Sequence, residues 1–198
     1  MPKSFPSIVE SHGGELIFTS SQSTITDFLG GPMITNFGGV CLALVMGWLS
    51  QNTAKTDPAK GIKNKTSALK LQNTMEAKWE GMASVENNAK AVVGKTFWYR
   101  SAQLHSYTSN KYGADLSLMT ATPEWKESLN ILCIYFPSGP GHALGVWKFG
   151  EKAVAFYDPN CGACVVSRAS FREFLNEFLT EQYSDTSGYA ICAFVDNP

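Results

Sequence analysis

Between Cys41 and Leu49 the apolar residues Leu42, Val45, Met46 and Leu49 recur at i, i+3, i+4 and i+7, the spacing of one buried helix face, and Trp48 widens that face. Gly38-Gly39 ahead of them suits a tight turn and not a helix interior, so the spacing predicts a helix that begins at Cys41. A second helical pattern runs from Ser67 to Val93, with Met75, Trp79, Met82, Ala89 and Val92 or Val93 inward, Gly81 as an interruption and Gly94 as a stop. A third follows Ser170, where Phe171, Phe174, Leu175, Phe178 and Leu179 share a face and Ser170 with Glu173 has the spacing of a capping box. Short alternating segments predict strands at 96–100, 131–136, 143–149, 153–157 and 189–195. Helices first and hairpins afterwards imply an α+β domain, its helices packed on an antiparallel sheet.

Residues 1–33 are rich in Ser, Thr and Gly and hold one short apolar stretch, Leu16-Ile17-Phe18. They read as a flexible N-terminal arm ahead of one globular domain over 34–198. The polar stretch 51–67, with Lys55, Lys60, Lys63, Lys65, Pro58 and Gly61, reads as a solvated connection. At 198 residues, 44% hydrophobic and 12% aromatic, the chain is long enough for one substantial core. A net charge of -1 gives no footprint for nucleic acid. The N-terminus lacks the apolar run of a signal peptide, and no stretch is apolar enough for stable membrane insertion. Five cysteines, an odd number in a chain that needs no disulfide staples, point to a reduced compartment and a thiol left for chemistry.

A thiol becomes a strong nucleophile when its pKa falls, and a helix N-terminus beside a histidinium can bring it from about 8.5 to roughly 3 to 4. Cys41 occupies such a helix start. Its own amide is a free donor there for an oxyanion, and Asn36, five residues upstream, offers a second donor from its side chain. A base is found by counting across a hairpin. If Gly150-Glu151-Lys152 is a three-residue turn, Leu144 faces Asp158 and His142 faces Asn160, so His142 and Asp158 are diagonal neighbours on one face, roughly 7 to 8 Å apart at Cα. An aspartate bonded to one ring nitrogen fixes the tautomer and turns the other nitrogen to the thiol. A two-residue turn would put the two side chains on opposite faces.

Other motifs carry less. Cys161-Gly162-Ala163-Cys164 lacks the second ligand pair of a structural zinc site, so no metal is assigned. Gly139-Pro140-Gly141 is followed by no Lys-Ser or Lys-Thr, so it is no phosphate loop and reads as a turn bringing His142 to a cleft. His12 and His105 stand apart from the motifs.

Three segments, Gly39-Val40-Cys41-Leu42-Ala43-Leu44 with Trp48, Gly141-His142-Ala143-Leu144-Gly145 and Phe156-Tyr157-Asp158-Pro159-Asn160-Cys161-Gly162, resemble in content and order the motifs of the YopT/AvrPphB-type effector cysteine proteases. The resemblance implies a papain-like catalytic domain over 34–198, an export signal as the alternative reading of 1–33, and a secreted bacterial effector or toxin that acts in the host cytoplasm without a cleavable signal peptide. It implies a host protein as substrate, a secretion chaperone or immunity protein as a further partner, and no cofactor. It gives Cys41 the role of nucleophile, His142 that of base, Asp158 that of orienting acid and Asn36 that of oxyanion-hole side chain. Two other readings stay open: a papain-like deamidase or transglutaminase using the same thioester chemistry, and an inactive papain-like binding scaffold.

Overall fold

The structure, a computed structural model, describes residues 2–21, 40–51, 53–58, 102–110, 129–137, 139–149 and 151–196. Its helices are α1 (Phe5–Ser11), α2 (Cys41–Leu49) and α3 (Phe171–Gln182). Its strands are β1 (Glu15–Thr19), β2 (Ala102–Asn110), β3 (Leu129–Phe136), β4 (Gly139–Phe149), β5 (Ala153–Asp158), β6 (Gly162–Ser167) and β7 (Gly188–Asp196). All seven form one antiparallel sheet in the order β1-β6-β5-β4-β3-β7-β2, a meander from β3 to β6 with β7 returning beside β3. The domain is α+β, as the pattern predicts.

Side chains alternate between two cores. Ile131, Cys133, Ala143, Ala155, Tyr157 and Cys192 face α2, whose residues are buried on nearly every side. Leu132, Leu144, Val146, Val154, Phe156 and Ile191 face α1 and α3. The sheet is thus covered on both faces, which makes strands such as β6 read as unbroken apolar runs. Gly145 sets how closely α2 sits, because a Cβ there would come within 2.9 Å of the Trp48 ring. That ring lies against Tyr157 on the next strand, with centroids 5.4 Å apart.

The sequence reading is revised at several places. Residues 5–19 are not a loose arm. Ser4 caps α1 by accepting from the Ser7 amide, Pro6 stands in its first turn, and Phe5, Ile8 and Val9 are buried against α3 and the sheet. His12 Nε2 donates to Glu177 Oε2 at 2.6 Å, Lys3 Nζ pairs with the same carboxylate, and Gln182 Nε2 donates to the Lys3 carbonyl at 2.7 Å. Leu16-Ile17-Phe18 lies in β1, paired with β6. The capping box does not form: Ser170 makes no side-chain cap, and its Oγ bonds Ser167 Oγ at 2.8 Å instead. Gly139-Pro140-Gly141 opens β4 and is not a turn. The pattern does not predict strands β2 and β6. The helix expected over 67–93, the strand expected over 96–100 and residues 1 and 22–33 of the arm lie outside the described residues.

If α1 is part of the core, Phe5→Ala removes a ring packed edge-on against Phe178, at 5.6 Å, and tilted against Phe156. Urea denaturation should show a loss of about 3 kcal/mol. A loss under about 0.5 kcal/mol, the usual range for a surface position, would mean that the segment is an arm after all.

Candidate functional site

The hairpin between β4 and β5 has the register counted from the sequence: Phe149 pairs with Ala153, Trp147 with Ala155 and Gly145 with Tyr157. Extended by one residue, it sets Leu144 against Asp158 and leaves His142 diagonal to it. His142 Nε2 and Asp158 Oδ1 are 2.8 Å apart, with His142 6% exposed and Asp158 fully buried. Gly141 permits the chain to enter this position beside an irregularity in the β3–β4 ladder, since a Cβ there would stand 2.8 Å from the Ile134 carbonyl.

Cys41 is the first residue of α2 and is buried. Its thiol lies close enough to the His142 ring to help raise the pKa of the imidazole. With Nε2 held by Asp158, the nitrogen left for the thiol is Nδ1. Amides in the first turn of a helix have no partner within it, so the helix start also aims donors and a positive dipole end at the sulfur.

Asp158 accepts more than one bond. The Asn160 backbone N–H donates to Oδ1 at 2.8 Å and the Tyr183 phenol to Oδ2 at 2.8 Å. Burial works against its charge, but the His142 cation and these donors together hold the carboxyl below its usual range. Burial likewise works against a charged His142, and here the Asp158 charge, the bond to Asp158 and the contact with Cys41 win, lifting the imidazole from 6.5 to about 10. The ring therefore favours its charged form at neutral pH, in surroundings dry enough to strengthen its pairing with Asp158.

The structure brings together Cys41, His142 and Asp158. Asn36 lies outside the described residues. Sequence reasoning missed Tyr183 and Asn160: Asn160 was in the Asp-Pro-Asn turn but had no assigned role, and Tyr183 follows the last residue of α3 with no pattern to mark it. All five cysteines are free thiols. Cys161, in the turn after Asp158, has its thiol pushed up by burial and then by the Asp158 charge, so it is a poor rival nucleophile. Among the described residues no cluster of three metal-ligating side chains occurs, and no helix is long and apolar enough to cross a membrane. A cavity of about 500 Å³, lined by Leu16, Ile17, Ala54, Lys55 and Trp147, lies by the chain that follows the C-terminal end of α2, away from Cys41.

This α+β architecture is papain-like. The crystal structure of the Pseudomonas avirulence protein AvrPphB is similar to it, with a TM-score of 0.60 and 16% identity over 86% of this chain and 99% of that one. The chain belongs to the Peptidase_C58 family, the Yersinia/Haemophilus virulence surface antigen family, whose model it matches over residues 6–189. PatoxP, a cysteine protease-like domain of the Photorhabdus asymbiotica toxin PaTox, aligns with 94% of this chain and 57% of its own at 15% identity and a TM-score of 0.45. No curated protein matches the chain.

The two shifts give stability a defined pH dependence. His142, raised to about 10, contributes fully below about 6.5, and the contribution is lost as pH rises through 10. Asp158, depressed, contributes above about 3.9, and the contribution is lost as pH falls through its folded value. Denaturation of the wild type should show stability falling steadily from about pH 7 to 10, and His142→Phe should flatten that fall. An equal slope in both would mean that the imidazole is not held charged.

Proposed function

We propose that this chain is a cysteine protease in which Cys41 is the nucleophile, His142 the general base and acid, and Asp158 the group that orients His142. The observation that carries the reading is the 2.8 Å bond from His142 Nε2 to Asp158 Oδ1, with Cys41 at a helix start and near enough to the ring to raise its pKa. The thiol proton resides on Nδ1, which makes the ring an imidazolium, and the sulfur attacks a peptide carbonyl. The oxyanion is held by the Cys41 amide and, in this reading, by the Asn36 side chain. As the C–N bond breaks, His142 returns its proton to the leaving amine and a thioester remains. Water then loses a proton to Nδ1 and attacks the thioester, the C–S bond breaks, and the acid and the thiolate are released. No step calls for a cofactor.

The substrate class in this reading is a host protein, and the chain acts as a secreted bacterial effector or toxin in the host cytoplasm. Membership of a virulence family supports that assignment. A secretion chaperone or an immunity protein is the further partner such a toxin would have.

Two measurements test the reading. At about pH 6, iodoacetamide should label Cys41 at least tenfold faster than any other cysteine, because an imidazolium stands beside it, and His142→Ala should erase the preference. Equal labelling of all five thiols would count against an activated nucleophile. In host-type cells, new protein N-termini should appear with the wild type and not with Cys41→Ala. Mass gains of deamidation at glutamine, or new amide crosslinks, would instead assign a deamidase or transglutaminase, and no difference would assign an inactive scaffold.

A further inference from the structure

Tyr183, the residue that ends α3, reaches the triad in three ways. Its phenol donates to Asp158 Oδ2 at 2.8 Å, and its ring stacks on the His142 imidazole with centroids 5.1 Å apart and planes 28° from parallel. Its oxygen also accepts from Asn160 Nδ2 at 3.0 Å, while the Asn160 backbone N–H donates to Asp158 Oδ1. The two carboxylate oxygens are therefore anchored separately, one by His142 and Asn160 and the other by Tyr183. A carboxylate held at one oxygen can still turn about its Cβ–Cγ bond; held at both, it cannot.

Tyr183 is itself fixed. Its N–H donates to the Leu179 carbonyl at 2.8 Å, and its own carbonyl accepts from the Thr186 amide at 3.1 Å and from Thr186 Oγ1 at 2.8 Å. Phe136 and Phe178 pack against its ring at 6.1 and 5.8 Å. Burial, and then the Asp158 charge, pushes the phenol well above its ordinary range, so it remains a proton donor throughout the working pH range.

We infer that Tyr183, oriented by Asn160, is the positioning residue of the reaction proposed above: it sets the plane of the Asp158 carboxylate and the tilt of the His142 ring, and so the aim of Nδ1. The inference rests on the triad reading. The step most sensitive to that aim is hydrolysis of the thioester, in which Nδ1 must take a proton from a water that no covalent bond holds in place.

p-Nitrophenyl acetate serves as the probe. Attack by Cys41 forms the thioester and releases p-nitrophenolate in a burst whose amplitude counts active sites; water then releases acetate and sets the steady rate. Tyr183→Phe keeps the ring and its packing and removes only the donor. It should leave the burst at one per chain, slow the steady rate about tenfold and lower KM in the same proportion, so that kcat/KM stays within about twofold. Asn160→Ala, which keeps the backbone donor to Oδ1, should slow it about threefold. A steady rate within twofold of wild type for Tyr183→Phe overturns the inference, as does a rate that falls only in proportion to the burst, which is a folding loss. A wild type with no more burst than Cys41→Ala removes the triad reading itself, and this inference with it.

Discussion

Asp158 has no exposed surface, and a carboxylate taken out of water without partners costs several kcal/mol or takes up a proton. Its charge therefore has to be met inside the fold, and the donors that meet it come from three separate pieces of chain. His142 arrives on β4, the Asn160 amide from the turn after β5, and the Tyr183 phenol from the end of α3. Each piece is held by other structure, so the site forms only when the β4–β5 register, the Asp-Pro-Asn turn and the termination of α3 are all correct. The candidate chemistry and the fold are in this sense one object.

The proposed nucleophile comes from the opposite layer. Cys41 rides on α2, across the sheet from α3, and its place relative to His142 depends on how α2 lies on β4 and β5. Gly145 lets the Trp48 ring sit directly on the strand, and Trp48 in turn packs against Tyr157, the neighbour of Asp158. Helix and acid are thus registered through two aromatic rings and one missing side chain. A Cβ at position 145 would press on the ring and move the whole helix, because a close-packed interior has little free volume to absorb it.

How much of this could be read in advance follows from where the information lies. The β4–β5 pairing was legible because turn length alone fixes hairpin register, and side-chain alternation then decides which residues share a face. Cys41 at a helix start was legible from one helical stripe behind two glycines. Strand β6 was not, since its residues are apolar on both faces and its Cys161-Gly162-Ala163-Cys164 lead-in looked like loop chemistry. Strand β2 carries polar residues at most positions and is recognised by its backbone pairing with β7. The first turn of α1 did carry a signal, Ser4 before Phe5-Pro6 with Phe5, Ile8 and Val9 on one face, but seven residues are too few to stand out against a Ser- and Thr-rich surrounding. Tyr183 could not have been found: nothing local distinguishes a tyrosine that ends a helix from one that turns back onto a histidine on another strand.

The cluster around Asp158 also bears on what such burial is for. Apolar residues of the same volume often stabilise a fold at least as well as a buried ion pair, because the desolvation of two charges offsets most of their attraction. A fold that needed only stability would have little use for His142, Asp158, Asn160 and Tyr183 in mutual contact. What the cluster provides is direction. A carboxylate held at both oxygens and a ring held by one bond and one stack leave the imidazole few orientations. Under the proposed mechanism this preorganisation lowers the barrier, since the ring need not be reoriented when the proton moves.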